Sequence, residues 1–94
     1  MIYWRRKTVH DVKISVRQFL MDNFVMNGNA EIGDNTSFMK QHILDSTGFL
    51  ELINFVEDTF HVSVHEDEMV PENFDTLQNL EAYVQRKAAR RMAA

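Results

Sequence analysis

The run Asp45-Ser46-Thr47-Gly48-Phe49-Leu50-Glu51-Leu52-Ile53-Asn54-Phe55-Val56-Glu57-Asp58-Thr59-Phe60 decides how the rest of the chain is read. At the helical period, Phe49, Leu52, Ile53, Val56 and Phe60 converge on one side. Thr47, Glu51, Asn54 and Asp58 line the opposite side at spacings of four, three and four. The pattern predicts a helix over 46–60 that packs one face and presents the other. Leu50 and Phe55 flank the polar stripe, setting apolar contacts beside acidic ones, a mixture suited to transient docking. Asp45 and Ser46 are both good caps for its first free N–H groups. If Asp45 is the cap, the Ser46 hydroxyl is released at the positive end of the helix dipole, where an attached phosphate is favoured by ~0.3–1 kcal/mol.

The flanking segments read as further helices. Val9, Val12, Val16, Phe19, Leu20 and Phe24 follow helical spacing over about Thr8 to Phe24, with Thr8 and Asp11 as a weak cap. Asn27-Gly28-Asn29 is a stop, and the connection from there to Leu44 carries the apolar anchors Ile32, Phe38, Met39 and Ile43, as expected of a segment that wraps the core. His61 to His65 alternates as an extended link, and Glu66 to Val70 allows one helical turn that Pro71 limits. Asp75-Thr76-Leu77-Gln78 reads as a capping box with Asp in the cap position, opening a last helix striped by Leu77, Leu80, Val84 and Tyr83. Arg86, Lys87, Arg90 and Arg91 suit the carbonyl end of that helix, with a frayed tail after Ala88. The fold class that follows is all-α: a small antiparallel four-helix bundle of three main helices and one short one.

Composition narrows the function. A chain of 94 residues is one domain that buries about 60 to 65% of its unfolded surface, too little for a large internal active site. Hydrophobic content of 45%, seven Phe and no Cys indicate a folded cytoplasmic domain without disulfides or a thiolate metal site. No apolar run approaches the ~20 residues of a membrane span, and the basic, aromatic start Tyr3-Trp4-Arg5-Arg6-Lys7 lacks the features of a signal peptide. Tyr3 and Trp4 either pack back on the domain or mark an oligomer contact. Between Gln41 and Gln85 there is no Lys or Arg, while ten of the 14 acidic residues fall there. Such a segment repels nucleic acid and attracts basic protein surfaces.

Catalysis by Ser46 is not indicated. A hydrolase elbow needs Gly two residues before the serine and a strand leading in, whereas Leu44 stands there and no strand is expected. Without an activating base the hydroxyl is a poor nucleophile, so Ser46 reads as a substrate of another protein. His61 and His65 beside Glu66, Asp67 and Glu68 have four-residue spacing on an extended segment, which does not converge on a metal, so no metal site is expected.

Asp45-Ser46-Thr47-Gly48-Phe49-Leu50-Glu51-Leu52-Ile53, then Glu57-Asp58-Thr59-Phe60 and Asn73-Phe74-Asp75-Thr76-Leu77-Gln78-Asn79-Leu80, resembles the acyl carrier protein family, including peptidyl and D-alanyl carrier domains. The likeness covers roughly residues 8 to 87. It implies a carrier domain over 8–88, with an N-terminal extension over 1–7 and a C-terminal tail over 89–94. It also implies that Ser46 receives 4'-phosphopantetheine from a phosphopantetheinyl transferase that uses coenzyme A and magnesium. The arm's thiol would hold an acyl or aminoacyl thioester for ligases and transferases with basic docking patches. The protein would be a monomer and not an enzyme. Partner recognition would fall on Asp45, Thr47, Leu50, Glu51, Asn54, Glu57 and Asp58. Thr47-Gly48 departs from the Leu that follows the serine in fatty-acid carriers and looks more like specialised stand-alone carriers. The alternative is a helical interaction module with this fold and no arm.

Overall fold

A computed structural model describes the backbone of residues 12–25 and 31–93, with side chains as far as 89. Four helices are present among the described residues: α1 (Val12–Asn23), α2 (Ser46–Phe60), α3 (Pro71–Phe74) and α4 (Leu77–Ala93), with a 3-10 turn at Glu66–Glu68. No described residue is in a strand, and no described helix is long and apolar enough to cross a membrane. The expected start of the first helix at Thr8, its cap, the Asn27-Gly28-Asn29 stop and residues 1–7 lie outside the described residues.

Alternating stripes from each helix build one core. Val12, Val16 and Leu20 of α1, Leu52, Ile53 and Val56 of α2, Phe74 of α3 and Leu77, Leu80, Tyr83 and Val84 of α4 are buried together. Phe74 sits at the centre of an aromatic series, 5.9 Å from Phe49 and 4.9 Å from Tyr83 between ring centroids. Burying a Phe side chain contributes on the order of 1.5–3 kcal/mol, so this series is a main anchor of α3, which has only four residues and could not stand alone.

The long connection before α2 does wrap the core, through buried Ile32, Phe38 and Leu44, whereas Met39, expected as a further anchor, is 39% exposed. Polar contacts fix its course. Arg17 of α1 donates to the Ile32 carbonyl at 3.0 Å, and Lys13 donates to Asp34 at 2.9 Å and to Gln78 of α4 at 3.0 Å. The Gln78 N–H in turn donates to the Asp34 carbonyl at 2.9 Å.

One capping expectation is corrected. Asp75 does not cap α4: its carboxylate accepts from the Ser37 hydroxyl and from the Met39 N–H at 3.0 Å, holding the connection. The cap is Thr76, whose hydroxyl oxygen accepts from the Asn79 N–H at 3.0 Å. The expected turn does end before Pro71, and Pro71 in addition opens α3, because at the first helical position its missing N–H costs nothing and its φ is already helical. The turn before it is confined to Glu66–Glu68, and Val70 is extended, as a residue preceding proline prefers. α4 continues past Ala88, after which a frayed tail is expected, as far as Ala93.

Candidate functional site

The site is the mouth of α2. Asp45 has extended backbone (φ −104°, ψ −170°), and its carboxylate accepts from the Gly48 N–H at 2.8 Å, so Asp45 is the N-cap. Its carbonyl accepts from the Phe49 N–H at 2.9 Å, closing the first turn. Ser46 is therefore not needed as a cap. It is exposed, and its hydroxyl makes no hydrogen bond to any described residue. The backbone N–H groups of Ser46 and Thr47 also have no acceptor among the described residues, as the first turn of a helix leaves them.

What lies behind the serine explains Gly48. It is buried, and a Cβ there would meet Phe24 Cε1 at 3.0 Å, Leu44 Cδ2 at 3.1 Å and Asp45 Oδ1 at 3.4 Å. Phe24, just past α1, and Leu44 of the connection thus press directly against the first turn of α2, and a Cβ there would require them to give by a few tenths of an ångström. Sequence reasoning saw Gly48 only as a family departure. The available signal was a glycine one turn inside a helix, where it is disfavoured unless something packs on it. His42, three residues before the cap, adopts φ 58°, so the chain makes a left-handed turn immediately before the site.

The expected recognition residues divide into two groups. Thr47, Glu51, Asn54 and Asp58 are all exposed along one side of α2, and Leu50 beside them is 56% exposed. Asp45 is exposed as well, although one of its oxygens is engaged in the cap. Glu57 differs: it is half-buried, and its Oε2 accepts from the Val64 N–H at 2.9 Å. Its carboxylate ties the chain leaving α2 back onto the helix, while buried Val62 and Val64 cover the core there. Phe55 is half-buried and stacks on Phe19 of α1 with centroids 4.3 Å apart.

A second carboxylate with a defined role is Glu68. It accepts from the His65 N–H at 3.0 Å, the Tyr83 hydroxyl at 2.8 Å and Lys87 Nζ at 3.1 Å. The backbone bond from His65 is the largest cause that holds its carboxyl down at about 2, with the Tyr83 and Lys87 donors adding to it against the opposing effect of burial. Tyr83 is pushed above the ordinary phenol value by burial and by this carboxylate. The cluster staples the 3-10 turn to α4 and is remote in sequence from Ser46. Among the described residues no group of three or more acidic or histidine side chains could hold a metal ion.

Chemically, the mouth of α2 offers a hydroxyl and two N–H groups that no described residue engages, and an acidic flank with an exposed leucine. Phosphate esterified at Ser46 would meet the N–H groups and the positive dipole end. No protein-family model matches the chain, and a search of curated proteins finds no match.

Proposed function

We propose that the protein is a carrier whose Ser46 accepts 4'-phosphopantetheine and presents an acyl or aminoacyl group to partner enzymes. One observation carries this reading: Asp45 performs the capping, leaving the Ser46 hydroxyl exposed and without a hydrogen-bond partner among the described residues at the mouth of α2. In the modification, Ser46 Oγ forms a phosphoester bond to the pantetheine phosphate of coenzyme A as the pyrophosphate P–O bond breaks. Adenosine bisphosphate leaves, and the hydroxyl proton passes to a base on the transferase. The arm, when attached, supplies the thiol on which the cargo is held as a thioester. The chain's own part is to position the hydroxyl, offer the Ser46 and Thr47 N–H groups to the phosphate, and display Glu51, Asp58 and Leu50 to basic partners. Glu57 has a smaller share, since Val64 already engages it.

The antiparallel, acyl-carrier-like arrangement belongs to the same proposal. It is supported by the pairing of Phe19 of α1 with Phe55 and of Phe24, just past α1, with Gly48, so that the contact moves toward the start of α2 as the chain moves toward the end of α1. Intact mass of the purified chain after incubation with coenzyme A, magnesium and a broad-specificity transferase tests the proposal. A gain of one phosphopantetheine is expected. No gain, with partner binding retained in Ser46→Ala, would favour an interaction module without an arm.

A further inference from the structure

The mouth of α2 carries a groove on the side where the chain leaves α1. Its volume is about 220 Å³, and Phe24, His42, Ile43, Leu44 and Asp45 line it. That is below the range of ordinary ligand pockets, room for part of a small molecule and not for a whole cofactor. Two observations set it beside Ser46. Leu44 and Asp45 are the two residues before the serine, within about 8 Å of its Cα at ~3.8 Å per residue. Phe24 Cε1 and Leu44 Cδ2 lie 3.0 and 3.1 Å from where a Cβ on Gly48 would stand, so ring and isobutyl group form one apolar wall at the first turn. The wall is not sealed, since Phe24 and Ile43 are only half-buried. His42, which is exposed, and Asp45 are its polar edge. A fitting occupant joins a compact apolar group to hydrogen-bonding groups, and the nearest place to attach one is Ser46.

We propose that this groove seats the pantoyl unit of the phosphopantetheine arm, with its geminal methyl groups against Phe24, Ile43 and Leu44; the proposal rests on Ser46 being the attachment point. The order of groups along the arm selects this unit. Beyond the phosphoester comes a methylene, then the quaternary carbon bearing both methyls, then a hydroxyl-bearing carbon and an amide. The dimethyl carbon is therefore the apolar part of the arm that stays nearest Ser46, and the arm has no other branched apolar group. Phe24, Ile43 and Leu44 offer it close contact and removal from water. The hydroxyl and amide beyond it match the polar edge, where the His42 imidazole can donate or accept. Gly48 brings the wall this close to the serine, because a side chain there would make Phe24 and Leu44 give way. A pantoyl unit held in the groove fixes where the arm leaves the domain, while the distal thiol stays free to travel.

The test is isotope-filtered NMR of the full chain, labelled in the protein and loaded with an unlabelled arm, after intact mass has established the loading. Proton NOEs are expected from the geminal methyls to the Phe24 ring and the Ile43 side chain. The methyl resonances should also be displaced by the Phe24 ring current from their positions in free coenzyme A. Phe24→Leu keeps the wall apolar and should abolish that displacement with far-UV helicity retained; if the variant loses helicity, the NOEs in the parent chain decide. A failure to gain mass would remove the carrier reading and this proposal with it. A mass gain on Ser46 with the methyls at their free-solution shifts and no NOE to Phe24 or Ile43 would overturn the groove assignment alone. In labelled Ser46→Ala mixed with loaded, unlabelled parent chain, no such NOEs are expected. Their appearance there would assign the groove to the arm of a second copy and overturn the proposal.

Discussion

At the scale of single residues, the site depends on two neighbours of Ser46 that do no chemistry. Asp45 takes the capping role that the serine could have filled, and Gly48 lets Phe24 and Leu44 close onto the first turn. Gly48→Ala sets a gain in helix propensity of up to about 1 kcal/mol against overpacking of about 1–3 kcal/mol. Because its Cβ would meet Phe24 and Leu44 together and sit 3.4 Å from the capping oxygen, packing wins. A net destabilisation of about 1 kcal/mol is expected in urea unfolding, and a variant as stable as the parent would show that the Phe24 ring can move aside. The hydroxyl's role was legible from the sequence only as a conditional, because Asp and Ser cap equally well. Which one does so is decided by the extended backbone at Asp45, a property of the whole turn.

Among the elements, what was legible and what was not separate by the range of the interactions involved. α2 could be read to the residue because its fifteen positions carry both an unbroken 3.6-residue stripe and a cap next to the first turn. Asp75 was misread because its partners, Ser37 and Met39, lie 38 and 36 positions away, and nothing local distinguishes a capping Asp from one that anchors a loop. Glu57 was expected among the recognition residues only through the resemblance, lying off the polar stripe, and the backbone N–H of Val64 engages its carboxylate. Asp75→Ala leaves the Ser37 hydroxyl and the Met39 N–H without their acceptor, a loss of about 1–3 kcal/mol. Amide exchange of Met39 should quicken more than that of α2, and uniform protection would contradict the anchoring role. The Glu68 staple gives a pH dependence of known sign. Its folded value is depressed from 4.5 to about 2, so its contribution is fully present above about pH 4.5 and is lost as pH falls toward 2. Glu68→Gln should lower the melting temperature at neutral pH and flatten its fall across that acid range. Parallel curves for parent and variant would remove Glu68 as a determinant.

For the molecule as a whole, charge is segregated: an acidic stretch from 41 to 85 free of Lys and Arg, and cations confined to 5–40 and 86–91. The exposed Glu51 and Asp58 put part of that charge on the exposed side of α2 beside Leu50, Glu51 about one and a half turns after Ser46 and Asp58 about two turns further on. Reversing both, as Glu51→Lys with Asp58→Lys, should lower transferase turnover most strongly at low salt while circular dichroism is unchanged, because exposed charges act through a screened field. Unchanged turnover at low salt would take this face out of the interface. The central claim is narrower, that Ser46 is where the arm attaches. Peptide-level mass spectrometry of the chain after treatment with coenzyme A, magnesium and transferase, run beside Ser46→Ala, tests it most directly. The account predicts one phosphopantetheine on the peptide containing Ser46 and none on the variant. A modification on any other serine, or one that persists in Ser46→Ala, would contradict it.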